Sequence, residues 1–480
     1  VVIGGGLGGL SAAAILARAG RRVVLLERSN SVGGAASSYK VGDLFVEGSL
    51  HAMADPRKPQ DPKHALLSRA GVIESVTFVR TRLLYEVRGG PVGAPLRLPD
   101  TLDGAGAALG SRFAKAKPAI TAFLAELAAI AGGEAVPEAE RGWSLAQKLD
   151  AAFGEREALK CAVAANLTYW HDDAATLPWP DFARAQGGFL VNGGAFVDGG
   201  SQRLSSALAR AVRAAGGTVL VRRAAQAIAP LPEGGYRITH TTKDGEDPQT
   251  IETPRLVGAM APERLAAMLP DAEAAALRAG FAAETPSMSL FALTLGLARP
   301  PLDLGVTSYA TQLLPPWMKS LADMPRATAL LGGEPGEMMP PLAIADYAGI
   351  ESGVPAPPFV LSVIGPDRAD NWQDADAEAY RARRNRWQKA LIGYLDEQYR
   401  GLAGAVRAAS FNTAHSVAGY LGHPGGAVYG FAPRLGADPL RHVRSALPDL
   451  YFGSAWCGGG GFHGALQGGA AAADAILADG

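Results

Sequence analysis

Cysteine is nearly missing from this sequence. Among 480 residues only Cys161 and Cys457 occur, too few for a disulfide framework and suited to a reducing compartment. An excess of charge of either sign is also lacking: 45 Lys and Arg face 46 Asp and Glu, a net charge of -1. Without a basic footprint, no nucleic-acid partner is expected. The eight histidines are scattered and show no ligand spacing, so no metal is expected. No apolar run is long enough to span a bilayer; the quietest, Ala119 to Gly133, is short and broken by Glu126. There is no G-x-S-x-G nucleophile elbow and no Walker lysine after the glycines, which argues against hydrolysis by a serine elbow and against phosphoryl transfer. Val1 already reads as mid-strand, so residues that once preceded it are expected. A cytoplasmic protein is expected, with peripheral contact at the inner face of the membrane left open.

What is abundant is glycine, 60 residues, concentrated at the two ends of the chain. The start reads VVIGGGLGGLSAAAILARAGRRVVLLERSNSVGGA. An apolar strand, a helix rich in alanine and leucine and a second apolar strand make a βαβ unit for a buried parallel sheet. Gly4, Gly6 and Gly9 supply G-x-G-x-x-G at the first turn. Gly4 permits the tight turn, Gly6 lets backbone approach a pyrophosphate, and Gly9 lets helix pack on strand. The phosphates then meet free N–H groups at the positive end of the helix dipole. Glu27 ends the second strand, where an acid bonds the adenosine ribose. The fingerprint alone suits NAD or FAD. Gly33 and Gly34 follow soon after, with Ser37 and Ser38 beyond, and fit a second approach to a cofactor that runs deep into the protein.

The pattern GGGLGGLSAAAILARAGRRVVLLERSNSVGGAASS resembles the amino-terminal signature of the FAD-dependent amine oxidase and phytoene desaturase superfamily. The segment EGSLHAM resembles the histidine-bearing variant of carotenoid and retinol saturase-like members. The tail PDLYFGSAWCGGGGFHGALQGGAAAADAIL resembles the family's carboxy-terminal strand, glycine-rich turn and helix, whose amino end points at the flavin. The segment AFVDGG is similar to a family glycine pair that precedes a helix, although Asp198 stands where the family has a lysine-like residue. The resemblance implies an α/β fold: a Rossmann-like FAD-binding domain of glutathione reductase type with an inserted α+β substrate domain. The expected division is 1–79, 196–262 and 410–480 for the FAD-binding domain, and 80–195 and 263–409 for the substrate domain. Gly4, Gly6, Gly8, Gly9, Glu27, Arg28, Gly33, Gly34, Gly48, Ser49, Gly460, Gly461, Phe462 and Gly464 are then expected to hold FAD, with His51 and His463 as candidate proton-handling residues.

The implied activity is hydride transfer between an allylic carbon of a hydrophobic isoprenoid or polyene and flavin N5. The electron acceptor is open between oxygen, a quinone and a separate reductant. An amine or amino-acid oxidase, a redox-neutral polyene isomerase and an inactive FAD-bound scaffold are the alternatives. Cys457, just before the glycine turn, suits either a covalent flavin bond or a small buried filler. Arg381, Arg383, Arg384, Arg386 and Lys389 form a basic run on a charged helix, suited to an anionic headgroup or, more simply, to a solvated face paired with acids. One long helical run is expected over 106–132, and the prolines of DDAATLPWPDF are expected to break helix. Residues 216–228 read as paired short strands.

Overall fold

A computed structural model describes residues 1–48, 52–374 and 376–479. Its centre is a five-stranded parallel sheet in the order Thr218–Leu220, Val24–Leu26, Val2–Ile3, Leu256–Gly258, Leu450–Phe452. The first strand lies in the middle of the sheet and the last at its edge. Each is short and, apart from the exposed Thr218, made of apolar and aromatic residues, as expected where helices cover both sides. The helix Leu7–Arg18 is buried from Leu7 to Ala17. Its small residues let the Gly461–Ala478 and Gln202–Ala214 helices pack on it closely.

The two expected substrate blocks share one seven-stranded sheet. Its order is Val406–Asn412, Ser289–Leu297, Phe359–Asp367, Leu342–Asp346, Ala310–Leu314, Leu83–Gly89, Gly93–Pro99. All neighbours are antiparallel except Ala310–Leu314 beside Leu83–Gly89. Ser289–Leu297 is buried at every residue, yet its period of two survives. Phe291, Leu293, Leu295 and Leu297 enter the core under the Ala377–Gln398 helix, while Leu290 and Ala292 enter the core under the helices of 102–192. The fold class is therefore α/β, a Rossmann-like domain with an α+β insertion. Among the described residues no helix is long and apolar enough to cross a membrane.

Three local expectations are corrected. The run over 106–132 is two helices, Leu102–Arg112 and Lys117–Ala131, with Pro118 in the first turn of the second. The prolines near 178 start a helix instead of breaking one: Pro178 is the N-cap and Pro180 lies in the first turn of Trp179–Asn192, where a missing N–H costs nothing. Thr218–Leu220 and Ala224–Pro230 do not pair with each other. The former joins the parallel sheet beside Val24–Leu26 and the latter opens a three-stranded antiparallel meander.

Glycines in helices do opposite things here. A Cβ on Gly469 would stand 2.1 Å from the Gly8 carbonyl oxygen, whereas one on Gly393, exposed in the Ala377–Gln398 helix, would meet nothing within 4 Å. Gly469→Ala should destabilise by about 1–3 kcal/mol through overpacking against backbone that cannot yield. Gly393→Ala should stabilise by about 0.5–1 kcal/mol through lost unfolded-state freedom. Thermal or denaturant unfolding of the two variants should show shifts of opposite sign, and equal shifts would contradict the packing described.

Candidate functional site

The first glycine turn is built from backbone contacts. Gly4 has φ +109°, and a Cβ there would lie 2.6 Å from the Ala259 carbonyl oxygen. A Cβ on Gly9 would lie 2.0 Å from the Gly4 carbonyl, and one on Gly8 would lie 2.3 Å from the Gly453 carbonyl. Gly6 differs: nothing lies within 4 Å of its Cβ position. It is also the N-cap of Leu7–Arg18, with no side-chain cap and no acid in the first turn. Open space thus stands before uncapped N–H groups at a helix amino end, an arrangement that suits a phosphate.

Glu27 holds this turn in place. Its carboxylate accepts from the Gly5 N–H at 2.7 Å and the Ser29 N–H at 2.8 Å. A carboxylate has about four lone-pair sites, so two are left for ribose hydroxyls. Gly33 and Gly34 are required by the protein itself. Their φ values are +132° and +57°, the Gly33 N–H donates to the Gly5 carbonyl at 2.8 Å, and a Cβ on Gly34 would lie 3.2 Å from the Gly6 Cα. The second glycine pair is a brace for the first turn. Arg28 donates to the Tyr420 carbonyl and so ties this region to the tail. Gly48 donates to the Ser37 carbonyl at 2.9 Å and closes the hairpin Ser38–Val41, Leu44–Glu47. Ser49 and His51 lie outside the described residues.

The carboxy-terminal turn mirrors the first. Gly460 is the N-cap of Gly461–Ala478, again without a side-chain cap or a first-turn acid. Gly461 has φ +69° with open space at its Cβ position, while a Cβ on Gly464 would lie 2.0 Å from the Gly459 carbonyl. Phe462 is half-buried in the first turn. Ser11 Oγ donates to the Leu466 carbonyl at 3.2 Å, so the two helices are stitched as well as packed. His463 also lies in that turn. Burial, with the nearby Lys63 adding to it, pushes its imidazole down to about 4, and its Nδ1 has no partner among the described residues. It is a neutral imidazole at neutral pH. Lys63 is itself buried and paired with Asp61 at 2.8 Å. Cys457 is packed inside: its Sγ donates to the Phe452 carbonyl at 2.9 Å, and burial pushes the thiol up to about 12. That is the filler, not a poised nucleophile.

Two features escaped the sequence reading. Glu47 is 1 % exposed. It accepts from Ser38 Oγ at 2.8 Å, from the Ser201 N–H at 3.1 Å and from Ser201 Oγ. It therefore supplies negative charge at the amino end of Gln202–Ala214, whose N-cap side chain makes no cap bond. A lone acid inside the apolar strand LFVEG was the available signal. The second feature is a group of buried phenols. Tyr429 packs its ring where a Gly460 Cβ would stand and donates to the Thr168 carbonyl at 3.2 Å. Tyr169, Tyr309 and Tyr347 are also enclosed, and burial raises all their phenols, that of Tyr169 to about 12. They are neutral and apolar-faced. These residues are dispersed over 169–429, and no spacing marks them. Three members of the basic run are engaged: the buried Arg383 bonds Asp374 at 2.8 Å, Arg386 bonds Glu334 at 2.6 Å and Arg384 donates to the Phe411 carbonyl at 2.7 Å.

Glu27→Ala should leave the Gly5 and Ser29 N–H groups without acceptors, at about 1–3 kcal/mol, and should lower both the melting temperature and the amount of dinucleotide retained on purification. Unchanged values of both would contradict the role given to Glu27. His463 supplies a pH dependence. Its folded pKa lies below the unfolded value near 6.5, so the unfolded chain binds more protons between these values. The stability from neutral His463 is complete above pH 6.5 and is lost as pH falls toward about 4. Melting temperatures over that range should slope less steeply in His463→Gln than in the parent; parallel slopes would contradict the burial.

Residues 2–67 match the NAD(P)-binding Rossmann-like domain family. Curated relatives are similar over short stretches. All-trans-retinol 13,14-reductase of Macaca fascicularis is 49% identical over 51 residues, 11% of this chain and 8% of the relative, and that of Homo sapiens is 47% identical over 51 residues with the same coverage. The chain thus spans less than a tenth of the length of these relatives. Solved structures are similar throughout. An oxidoreductase from Methanosarcina mazei has a TM-score of 0.68 at 17% identity, covering 98% of this chain and 99% of that one. A triple mutant of putrescine oxidase has a TM-score of 0.65 at 14% identity, covering 100% and 98%, and cyclohexylamine oxidase from Brevibacterium oxydans has 0.61 at 14%, covering 100% and 98%. Residues 2–67 are thus similar to a NAD(P)-binding Rossmann-like domain, and the chain carries, over its whole length, the fold of these solved structures.

Proposed function

We propose that this chain binds FAD and is an oxidoreductase acting on carbon–carbon bonds of a hydrophobic isoprenoid or polyene. The observation that carries the reading is the pairing of two uncapped helix starts, at Gly6 and Gly460, brought together from opposite ends of the chain. One suits the pyrophosphate. The other suits the electron-rich end of a flavin ring. The division into an FAD-binding domain (1–79, 196–262, 410–480) and a substrate domain (80–195, 263–409) belongs to the same reading. Strand membership supports it, since the parallel sheet draws only on the former ranges and the seven-stranded sheet on the latter, apart from the final residues of Val406–Asn412.

Bound flavin would supply hydride acceptance or donation at N5. The chain's own residues do the rest. Glu27 and the Gly6 turn hold the adenosine and phosphate end. The first turn of Gly461–Ala478 offers N–H groups to negative charge, and neutral His463 beside Lys63 stands in that turn as a positioning residue. Ser49 and His51 belong to the proposed site by resemblance. The phenols of Tyr169, Tyr309, Tyr347 and Tyr429 wall off water and favour an apolar ligand. The name shared by the curated relatives, a reductase of all-trans-retinol, supports a polyene as that ligand.

The test is an anaerobic titration of the flavin-loaded protein. Reduced protein mixed with all-trans-retinol, or oxidised protein mixed with a more saturated isoprenoid, should change the visible flavin band in one of the two directions. Bleaching by aliphatic amines, with no response to isoprenoids in either direction, would overturn the reading in favour of amine oxidation.

A further inference from the structure

The helix Pro62–Arg69 opens on a buried ion pair. Lys63 and Asp61 are 5 % and 2 % exposed. The Lys63 ammonium bonds the Asp61 carboxylate at 2.8 Å, and Asn192 Nδ2 donates to the same carboxylate at 3.2 Å. Asp61 also caps the helix, accepting from the Lys63 N–H at 2.9 Å. The cap needs only the acid. A buried ammonium adds a desolvation cost that one carboxylate need not repay, and Asn192 Oδ1 is left without a partner among the described residues. Stability alone does not account for this lysine.

Packing sets the pair toward the carboxy-terminal glycine turn. Pro62–Arg69 lies on the Gly461–Ala478 helix, and Arg69 Nη1 bonds Asp474 at 3.2 Å. His463 and Asp474 are eleven residues apart, about three turns, so they share the helix face that is turned to Pro62–Arg69. Arg69 is exposed at the rim, whereas Lys63, six residues earlier, is buried. The short helix thus dips from the rim toward the glycine turn, with Lys63 about 9 Å inward of Arg69 along its axis. The ammonium's electrostatic effect on the His463 imidazole agrees with this register.

We propose that the Asp61–Lys63 pair sets the reduction potential of the bound flavin: Lys63, reaching toward the first turn of Gly461–Ala478, favours the negative charge of the reduced ring, and Asp61 restrains it. This rests on the FAD reading above. Neither residue is catalytic. Both act by their field across the His463 turn, where water is excluded and charge acts strongly. The uncapped helix start at Gly460 already favours negative charge there, with about half an elementary charge at its end. A whole charge held in dry surroundings is the larger lever, and its partner carboxylate makes it adjustable.

Equilibrium reduction of the FAD-loaded full chain against dyes of known potential tests this. Lys63→Met removes the cation and should make the reduced flavin about tenfold less favoured, a fall of about 30 mV for a two-electron couple. Asp61→Asn keeps a good helix cap and unmasks the cation, so the potential should rise by a similar amount. Affinity for oxidised FAD should hardly change in either, because the oxidised ring is neutral. Either variant suffices if the other fails to fold. Parent potentials in the variants, or shifts of the same sign, overturn the inference. Failure of the parent chain to take up FAD overturns both the inference and the reading beneath it. If the potentials shift as stated while no isoprenoid changes the flavin, the role of the pair stands and the carbon–carbon chemistry falls.

Discussion

Backbone touching backbone at Gly8 and Gly469 sets the rest of this structure. The Gly8 carbonyl lies where a Gly469 side chain would begin, and a Gly8 side chain would begin against Gly453 and Ser454. No residue but glycine permits that approach. The first helix of the chain is thereby pinned to its last helix and last strand. Since Val2–Ile3 sits in the middle of the parallel sheet and Leu450–Phe452 at its edge, everything between the two ends must leave and return. The insertion sheet and helices are long excursions from one closed frame, and both uncapped helix starts are held rigid by it.

Around that frame, three carboxylates are held by several partners each. Glu27 secures the glycine turn, and Glu47 joins the hairpin before Gly48 to the start of Gln202–Ala214. A side chain on Gly200 would strike Ser38 and Glu47, which explains the glycine pair before that helix. Glu284 does similar work for the tail. It accepts from Arg434, Arg441 and His442, which hold its carboxyl down to about 2. The phenols near the proposed site are neutral through burial, with the buried acids Glu47 and Asp346 close to Tyr309. Preorganised N–H groups act strongly where water is excluded.

The frame was legible in the sequence because its physics is local. A strand, a glycine turn, an alanine-rich helix and an acid at the end of the next strand can be read in order, and the glycine-rich tail announces its own turn. The fold class follows from those two ends and the meander between. The substrate side was harder. Ser289–Leu297 is buried on both faces, so alternation is hidden in a uniform apolar run. Pro178 and Pro180 look like breakers and act as a helix start. The buried phenols come from four separate stretches of chain, at 169, 309, 347 and 429, so no local spacing announces them. Glu47 was visible only as one acid among apolar neighbours, and its partner Ser201 lies far along the chain.

The central claim is that opposite ends of the polypeptide clasp one dinucleotide. Hydrogen–deuterium exchange of the full chain, read by mass spectrometry with and without FAD, addresses it most directly. The account predicts that FAD slows exchange together at the Gly5–Leu10 turn and at the Gly460–Ala465 turn, with the same concentration dependence. Protection confined to the first turn, or protection at the two turns with different affinities, would contradict it.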